Sequence, residues 1–246
     1  MAGSLAYQEL GLFRAALTSV TGVLRRPRAR LSQVAAAPRW LALLAGLTVA
    51  AAVSNATVMS TSVGQQALVD QWERTALAFG QVVDDSRYAG LQAASRDGAL
   101  YGIVSAVANV PLLIVAAALA IRGIFGRPRG PKPDAGGFRP VMAVVTHTGV
   151  ILALRVIISA PLAYVRETTA SATSLGIWFP AFDEAAPLAR LLGLIDLFAI
   201  WWVVVLAIGV SVIYRRPATK LALGFIAGYA ALAAVLAIIM AALGGS

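Results

Sequence analysis

The sequence contains no cysteine and a single histidine, His147, so several kinds of chemistry are excluded from the outset. Without thiols the chain forms neither a disulfide nor a thiolate metal site, and it has no cysteine nucleophile. One histidine cannot build a multi-histidine metal centre. The chain also lacks the GxSxG, HExxH and phosphate-cradling glycine-rich motifs of common enzymes. We therefore predict a protein that is not an enzyme, with no catalytic residue, cofactor or metal.

Charged residues are scarce at 13%, whereas 59% of the 246 residues are hydrophobic. A soluble domain of this size cannot bury so much apolar surface, so the composition indicates a membrane protein. A bilayer core about 30 Å thick is crossed by about 20 helical residues. Five apolar stretches have about this length, at residues 40–59, 100–121, 141–163, 188–213 and 221–243. We predict an all-α polytopic membrane protein, with a basic segment at 1–39 and a five-helix transmembrane domain at 40–246.

Lysine is nearly absent, with 2 residues against 18 arginines, and the formal net charge is +9. Basic residues number six, three, five, one and three in the successive segments outside the spans. Because Lys and Arg accumulate in cytoplasmic loops, this alternation predicts a cytoplasmic N-terminus and an exoplasmic C-terminus. The charges lie beside membrane spans, which favours contact with anionic lipid over nucleic acid. The arginine and alanine excess suggests a GC-rich genome, and hence the bacterial cytoplasmic membrane.

The N-terminal segment combines an amphipathic pattern with a cluster of arginines. One helical face carries Leu10, Phe13, Leu17, Val20 and Leu24. This pattern predicts an interfacial helix on the membrane, and the alternative is a helix packed against the rest of the chain or against a partner. The arginines predicted to contact lipid headgroups lie after this helix and after the fourth span: Arg25, Arg26, Arg28, Arg215 and Arg216. The segment 60–99, which contains no proline, is predicted to be mostly helical with an interruption near Asp84.

Three ionisable residues fall inside the predicted spans, where a charge requires a partner or a role. Arg155 in the third span and Asp196 in the fourth are expected at similar depth below the outer edge, so we predict that they pair. The pair is either a structural clamp between helices or a proton, ion or substrate site. His147 is expected near the inner edge, hydrogen-bonded to a neighbouring helix or functional at this polar site.

Gly224 and Gly228 form a GxxxG pattern in the fifth span, and Gly98 and Gly102 form another at the start of the second. Such spacing lets two helices approach closely. It is consistent with packing inside the chain and with a homo-oligomer.

Asp196-Leu-Phe198 with Trp201, followed by Tyr214-Arg-Arg and Gly228-Tyr229, resembles the bacterial branch of the Yip (Ypt-interacting protein) family. Phe13, Leu24-Arg-Arg-Pro27-Arg and Pro38-Arg-Trp40 are similar to the start of these proteins. The resemblance implies five spanning helices and a cytoplasmic N-terminus. Eukaryotic relatives bind Rab-type GTPases and serve vesicle traffic. This chain lacks their Asp-Leu-Tyr-Gly-Pro motif.

Two functions follow from these observations. The first is a non-enzymatic integral membrane protein, similar to the Yip family, that organises protein partners or lipids in the bilayer. The second is a small-solute or ion transporter or channel that uses Arg155 and Asp196.

Overall fold

The computed structural model describes residues 21–126, 137–166, 173–179 and 187–244, and every regular element in these ranges is helical. A short helical run occupies residues 21–25, and a 3₁₀ helix occupies Leu175–Trp178. The α-helices are α1 Pro27–Ala36, α2 Leu41–Met59, α3 Ser62–Ala78, α4 Asp85–Ser95, α5 Gly98–Phe125, α6 Phe138–Thr148, α7 Val150–Arg166, α8 Pro187–Leu194, α9 Leu197–Tyr214 and α10 Ala218–Gly244.

Five helical stretches within these elements are long and apolar enough to cross a membrane, which confirms the predicted class. They are α2, α5, Phe138–Ser159 across α6 and α7, α9, and Ala218–Ala242 of α10. The third stretch is 61% buried, whereas the first and fifth are each 11% buried. The apolar side chains that the first and fifth stretches expose are suited to contact with lipid.

The predicted interfacial helix lies largely outside the described residues, because its face runs through residues 10–20. Its expected end is visible: the helical run stops at residue 25, and α1 begins at Pro27. A proline is favoured in the first turn of a helix because it has no N–H to leave unsatisfied. The division into segments 1–39 and 40–246 stays a prediction.

The chain divides into two compact units. The first comprises Met1–Leu47, Pro111–Val150 and Trp202–Gly224. The second comprises Thr48–Val110, Ile151–Trp201 and Phe225–Ser246.

The core of the first unit is built around α6, in which every residue from Pro140 to Thr148 is buried. Helix α1 packs against α6 and buries Leu31 and Val34, which are three residues apart and therefore lie on one helical face. A Cβ built at Gly209 would overlap Val144 Cγ1 and would lie 3.2 Å from Leu31 Cδ1. The absence of a side chain at residue 209 therefore lets α1, α6 and α9 meet.

In the second unit, the end of α2 packs closely against the start of α5. A Cβ built at Gly98 would lie 2.8 Å from Met59 O, and one at Gly102 would lie 3.0 Å from Asn55 C. This GxxxG pair therefore does bring two helices together. By contrast, a Cβ at Gly224 or Gly228 meets no atom within 4 Å, so in the described chain these glycines make no such contact. Their role in an oligomer stays a prediction.

The segment after the first span is helical, as its sequence indicates. Helices α3 and α4 pack together, and residues 79–84 separate them. Thr61 caps α3 by accepting a hydrogen bond from Gly64 N, and Asp84 caps α4 by accepting one from Arg87 N. The interruption that was expected near Asp84 is thus the start of a second helix.

The fourth span differs from its prediction, which placed one continuous helix over residues 188–213. Helix α8 ends at Leu194, and the membrane-length helix α9 begins only at Leu197. Hydropathy could not reveal this break, because apolar residues lie on both sides of Asp196. Asp196 therefore stands at the N-terminal end of the span instead of two turns inside it.

Candidate functional site

The break between α8 and α9 leaves backbone groups without their helical partners, and other segments supply new ones. Leu175 N donates to Ile195 O at 2.8 Å, and Leu197 N donates to Thr173 O at 3.0 Å. The Tyr229 hydroxyl accepts from Asp196 N at 3.1 Å and donates to Leu194 O at 2.8 Å. Thr173, Leu175 and Tyr229 of α10 therefore supply the hydrogen bonds that the backbone loses at the break.

The Asp196 carboxylate satisfies further groups at the same place. Its Oδ1 accepts from Phe198 N at 2.8 Å and from Ala199 N at 3.2 Å, which makes Asp196 the N-cap of α9. Its Oδ2 accepts from the Thr173 hydroxyl at 2.5 Å and lies 3.0 Å from Arg155 Nε. The Asp196 side chain is only 7% exposed, whereas that of Arg155 is 38% exposed.

The structure thus brings Arg155 and Asp196 into contact, although Asp196 is also a helix cap. A carboxylate at a helix N-terminus is favoured by the macrodipole, and the guanidinium adds the opposite charge on its other oxygen. In a low-dielectric setting these donors compensate the cost of burying the charge. The arrangement is well suited to holding three chain segments together at the helix break.

Sequence reasoning did not identify Thr173 or Tyr229 as members of this cluster. They lie 23 and 33 residues from Asp196 along the chain. A threonine in a loop and a tyrosine in an apolar helix carry no local signal for such contacts. Only the Gly228-Tyr229 pair in the family resemblance pointed to one of them.

His147 belongs to the first unit, whereas Arg155 and Asp196 belong to the second. It is 6% exposed, and its Nδ1 donates to Ala143 O at 2.8 Å in its own helix, not to a neighbouring one. The adjacent Thr148 hydroxyl accepts from Trp202 Nε1 at 3.2 Å, which ties α6 to α9. These contacts describe a packed polar group inside the core of the first unit.

The arginines predicted to contact headgroups all belong to the first unit, and all are exposed. Arg28, Arg215 and Arg216 line one cleft of about 810 Å³, whereas Arg25 and Arg26 do not line it. Among the residues that the structure describes, no carboxylate forms an ion pair with any of these five arginines. They therefore present positive charge to the outside of the unit.

The described ranges hold no group of three or more His, Asp or Glu side chains placed to bind a metal ion. Among the described residues, the polar cluster at the helix break contains a single carboxylate, with arginine and hydroxyl partners.

A family model for the Yip1 domain matches residues 21–242. The chain belongs to the Yip1 domain family. The matched region contains the five spans, the polar cluster around Asp196 and the arginine-lined cleft of this Yip1-domain protein. The match confirms the resemblance to the Yip family, and the bacterial branch stays a prediction. Neither a curated protein nor a solved structure matches the chain.

Proposed function

We propose that this Yip1-domain protein is a non-enzymatic membrane organiser that holds protein partners or lipids through a basic surface of its first unit. The basic surface consists of Arg25, Arg26, Arg28, Arg215 and Arg216. The observation that carries the proposal is that these arginines are exposed and form no ion pair within the described chain. Exposed positive charge attracts anionic surfaces and steers their approach.

We place the protein in a bacterial cytoplasmic membrane, with the basic surface on the cytoplasmic side. The charge alternation between successive segments supports this orientation. The Asp196 cluster supports a structural role for the intramembrane charges, because its carboxylate caps α9 and joins separate segments.

The test is crosslinking of a tagged full chain in its native membrane, followed by purification and identification of the crosslinked species. The wild type is compared with a variant in which the five arginines of the basic surface are replaced by glutamine. A stoichiometric protein or an enriched lipid that the wild type captures and the variant loses supports the proposal.

A matched control neutralises three exposed arginines of the second unit, Arg74, Arg87 and Arg96. Capture should survive in this control. Equal loss in both variants, or a wild-type protein recovered with nothing bound, would contradict an organising role of the basic surface.

A second function, a small-solute or ion transporter, has one observation in its favour. The ion pair lies at the break between α8 and the membrane-length helix α9, and discontinuous helices form binding sites in many transporters. Flux into liposomes distinguishes the two functions. A transporter that uses the pair should lose flux in Arg155→Leu, in Asp196→Leu and in the double variant, whereas an organiser shows no flux above protein-free liposomes.

A further inference from the structure

The arginine-lined cleft lies where α1 begins and where α9 turns into α10. Its walls include Arg28 and Ser32 of α1, Ser211 of α9, and Arg215 and Arg216 of the turn. Its volume, about 810 Å³, falls within the roughly 300–1,000 Å³ that is usual for small-ligand sites. All of its lining residues belong to the first unit.

The lining has the chemistry of a phosphate site. Among the residues that the structure describes, it contains three arginines and two serines but no acidic residue. Guanidinium groups bind phosphate oxygens through paired, charge-assisted hydrogen bonds. The hydroxyls of Ser32 and Ser211 donate to Ala29 O at 2.8 Å and to Ile208 O at 2.7 Å, so the arginines supply the donors for a ligand. The Arg216 guanidinium carbon lies 5.7 Å from the centroid of the Phe125 ring, a cation–π distance that orients its side chain before any ligand binds.

The position of the cleft along the spans indicates the depth at which a ligand would sit. Helix α9 ends at Tyr214 and α10 begins at Ala218, so the turn between two membrane-length helices carries Arg215 and Arg216. Tyrosine and arginine at the end of a span lie at the level of the lipid headgroups. The Tyr214 ring also packs against Phe125, with 5.2 Å between ring centroids.

Arg215 provides an independent indication of function, because its backbone has φ of +53°. This left-handed conformation is strained for a non-glycine residue, whereas glycine adopts it freely. Backbone strain of this kind is concentrated at functional positions. The turn therefore carries an arginine side chain where the backbone alone would favour glycine.

We infer that the cleft binds the phosphate of an anionic phospholipid headgroup. This inference rests on the proposed function and names the ligand of one part of the basic surface. The three arginines bind the phosphate oxygens, and Ser32 and Ser211 flank them. The net positive lining selects a headgroup with net negative charge over a zwitterionic one, in which a second charge cancels that of the phosphate.

Native mass spectrometry of the full chain in neutral detergent tests the inference, with phosphatidylglycerol, phosphatidylcholine and inorganic phosphate as probes. We expect phosphatidylglycerol to bind about tenfold more tightly than phosphatidylcholine. We expect Arg28→Gln, Arg216→Gln and Arg215→Gly each to weaken that binding about tenfold, the scale of one charge-assisted hydrogen bond. Arg215→Gly also relieves the strained backbone, so its loss of binding cannot be attributed to misfolding.

Arg39→Gln is the matched control, because Arg39 is exposed in the same unit but neither lines the cleft nor belongs to the basic surface. If Arg39→Gln weakens binding as much as Arg28→Gln, the attraction is diffuse and the cleft is not a site. Equal binding of phosphatidylcholine would overturn selection by charge. Inorganic phosphate that displaces the lipid at equal concentration would assign the cleft to a soluble phosphate and overturn the lipid assignment.

The outcome is separable from that of the proposed function. If the cleft binds no lipid but the arginines of the basic surface still capture a protein, only the lipid inference is overturned. If the cleft binds lipid and no protein is captured, the lipid inference is supported.

Discussion

At the scale of single residues, Asp196 combines a helix cap with an ion pair. It caps α9 through Phe198 N and Ala199 N, and it contacts Arg155 and Thr173 through its other oxygen. Because these roles meet in one carboxylate, a change at Asp196 removes a cap and an ion pair together. A change at Arg155 removes only the cation and leaves a buried carboxylate short of one partner.

We predict a strong coupling between Arg155 and Asp196 in the free energy of unfolding. Arg155→Leu is expected to cost about 2 kcal/mol, because it leaves the buried carboxylate short of its cation, and Asp196→Leu is expected to cost more, because it removes the cap of α9 as well. The double variant should cost clearly less than the sum of the two. Denaturant unfolding in micelles measures all four proteins, and additive costs would contradict a direct pair.

Gly209→Ala adds a single methyl group, and we expect it to change the free energy of unfolding strongly. An added methyl group would overlap Val144 Cγ1, so Gly209→Ala should lower the free energy of unfolding by about 1–3 kcal/mol. Gly228→Ala is the matched control, since open space surrounds that position. Its expected effect is neutral or stabilising, and the same unfolding measurement compares the two. Equal changes in the free energy of unfolding for the two variants would contradict a steric overlap with Val144.

At the scale of elements, capping side chains mark where α3 and α4 begin. Asp84 accepts hydrogen bonds from Arg87 N at 2.8 Å and from Ser86 Oγ at 2.9 Å. The bond from the Arg87 backbone is the main cause that lowers the pKa of Asp84 below its ordinary value of 3.8, with the Ser86 hydroxyl second. Both bonds require the carboxylate form, so the cap on α4 depends on ionised Asp84.

The cap predicts how α4 responds to acid. Because the folded pKa of Asp84 is below the unfolded one, its stabilisation is fully present above pH 3.8 and is lost as pH falls through the folded pKa. NMR should show that the Asp84 carboxyl titrates with a midpoint below 3.8 and that the first turn of α4 frays in step. In Asp84→Asn the fraying should no longer follow this titration. A midpoint at or above 3.8 would contradict the cap.

At the scale of the whole molecule, hydropathy and charge act together. Five stretches are long and apolar enough to span a membrane, and the basic residues alternate between high and low counts from one connecting segment to the next. An odd number of spans places the two ends of the chain on opposite sides. The charge alternation then predicts which end is cytoplasmic.

The absence of cysteine makes this orientation directly testable, because a single introduced cysteine has no background. A membrane-impermeant maleimide applied to intact cells should label Ser246→Cys and Gln71→Cys but not Ser4→Cys. Ser4→Cys should become reactive after the membrane is permeabilised. Labelling of Ser4→Cys in intact cells would contradict the cytoplasmic N-terminus.

Several properties of this protein are determined by the sequence alone. Membrane class, the number of spans and the family follow from composition, from stretch length and from short motifs, all of which are local along the chain. The contact between Arg155 and Asp196 was also foreseeable, because two opposite charges in apolar surroundings have few other partners. These inferences need no knowledge of which distant segments meet.

Other features were decided only by the tertiary structure. Apolar residues on both sides of Asp196 predict one continuous helix, yet Thr173 and Tyr229 supply the hydrogen bonds that allow the chain to break there. Likewise, α1 looks polar in sequence, but it buries Leu31 where Gly209 leaves room. The physical reason is the same in both cases. Hydropathy sums over neighbours in the chain, whereas a helix break or a close packing contact depends on partners that only the folded chain brings near.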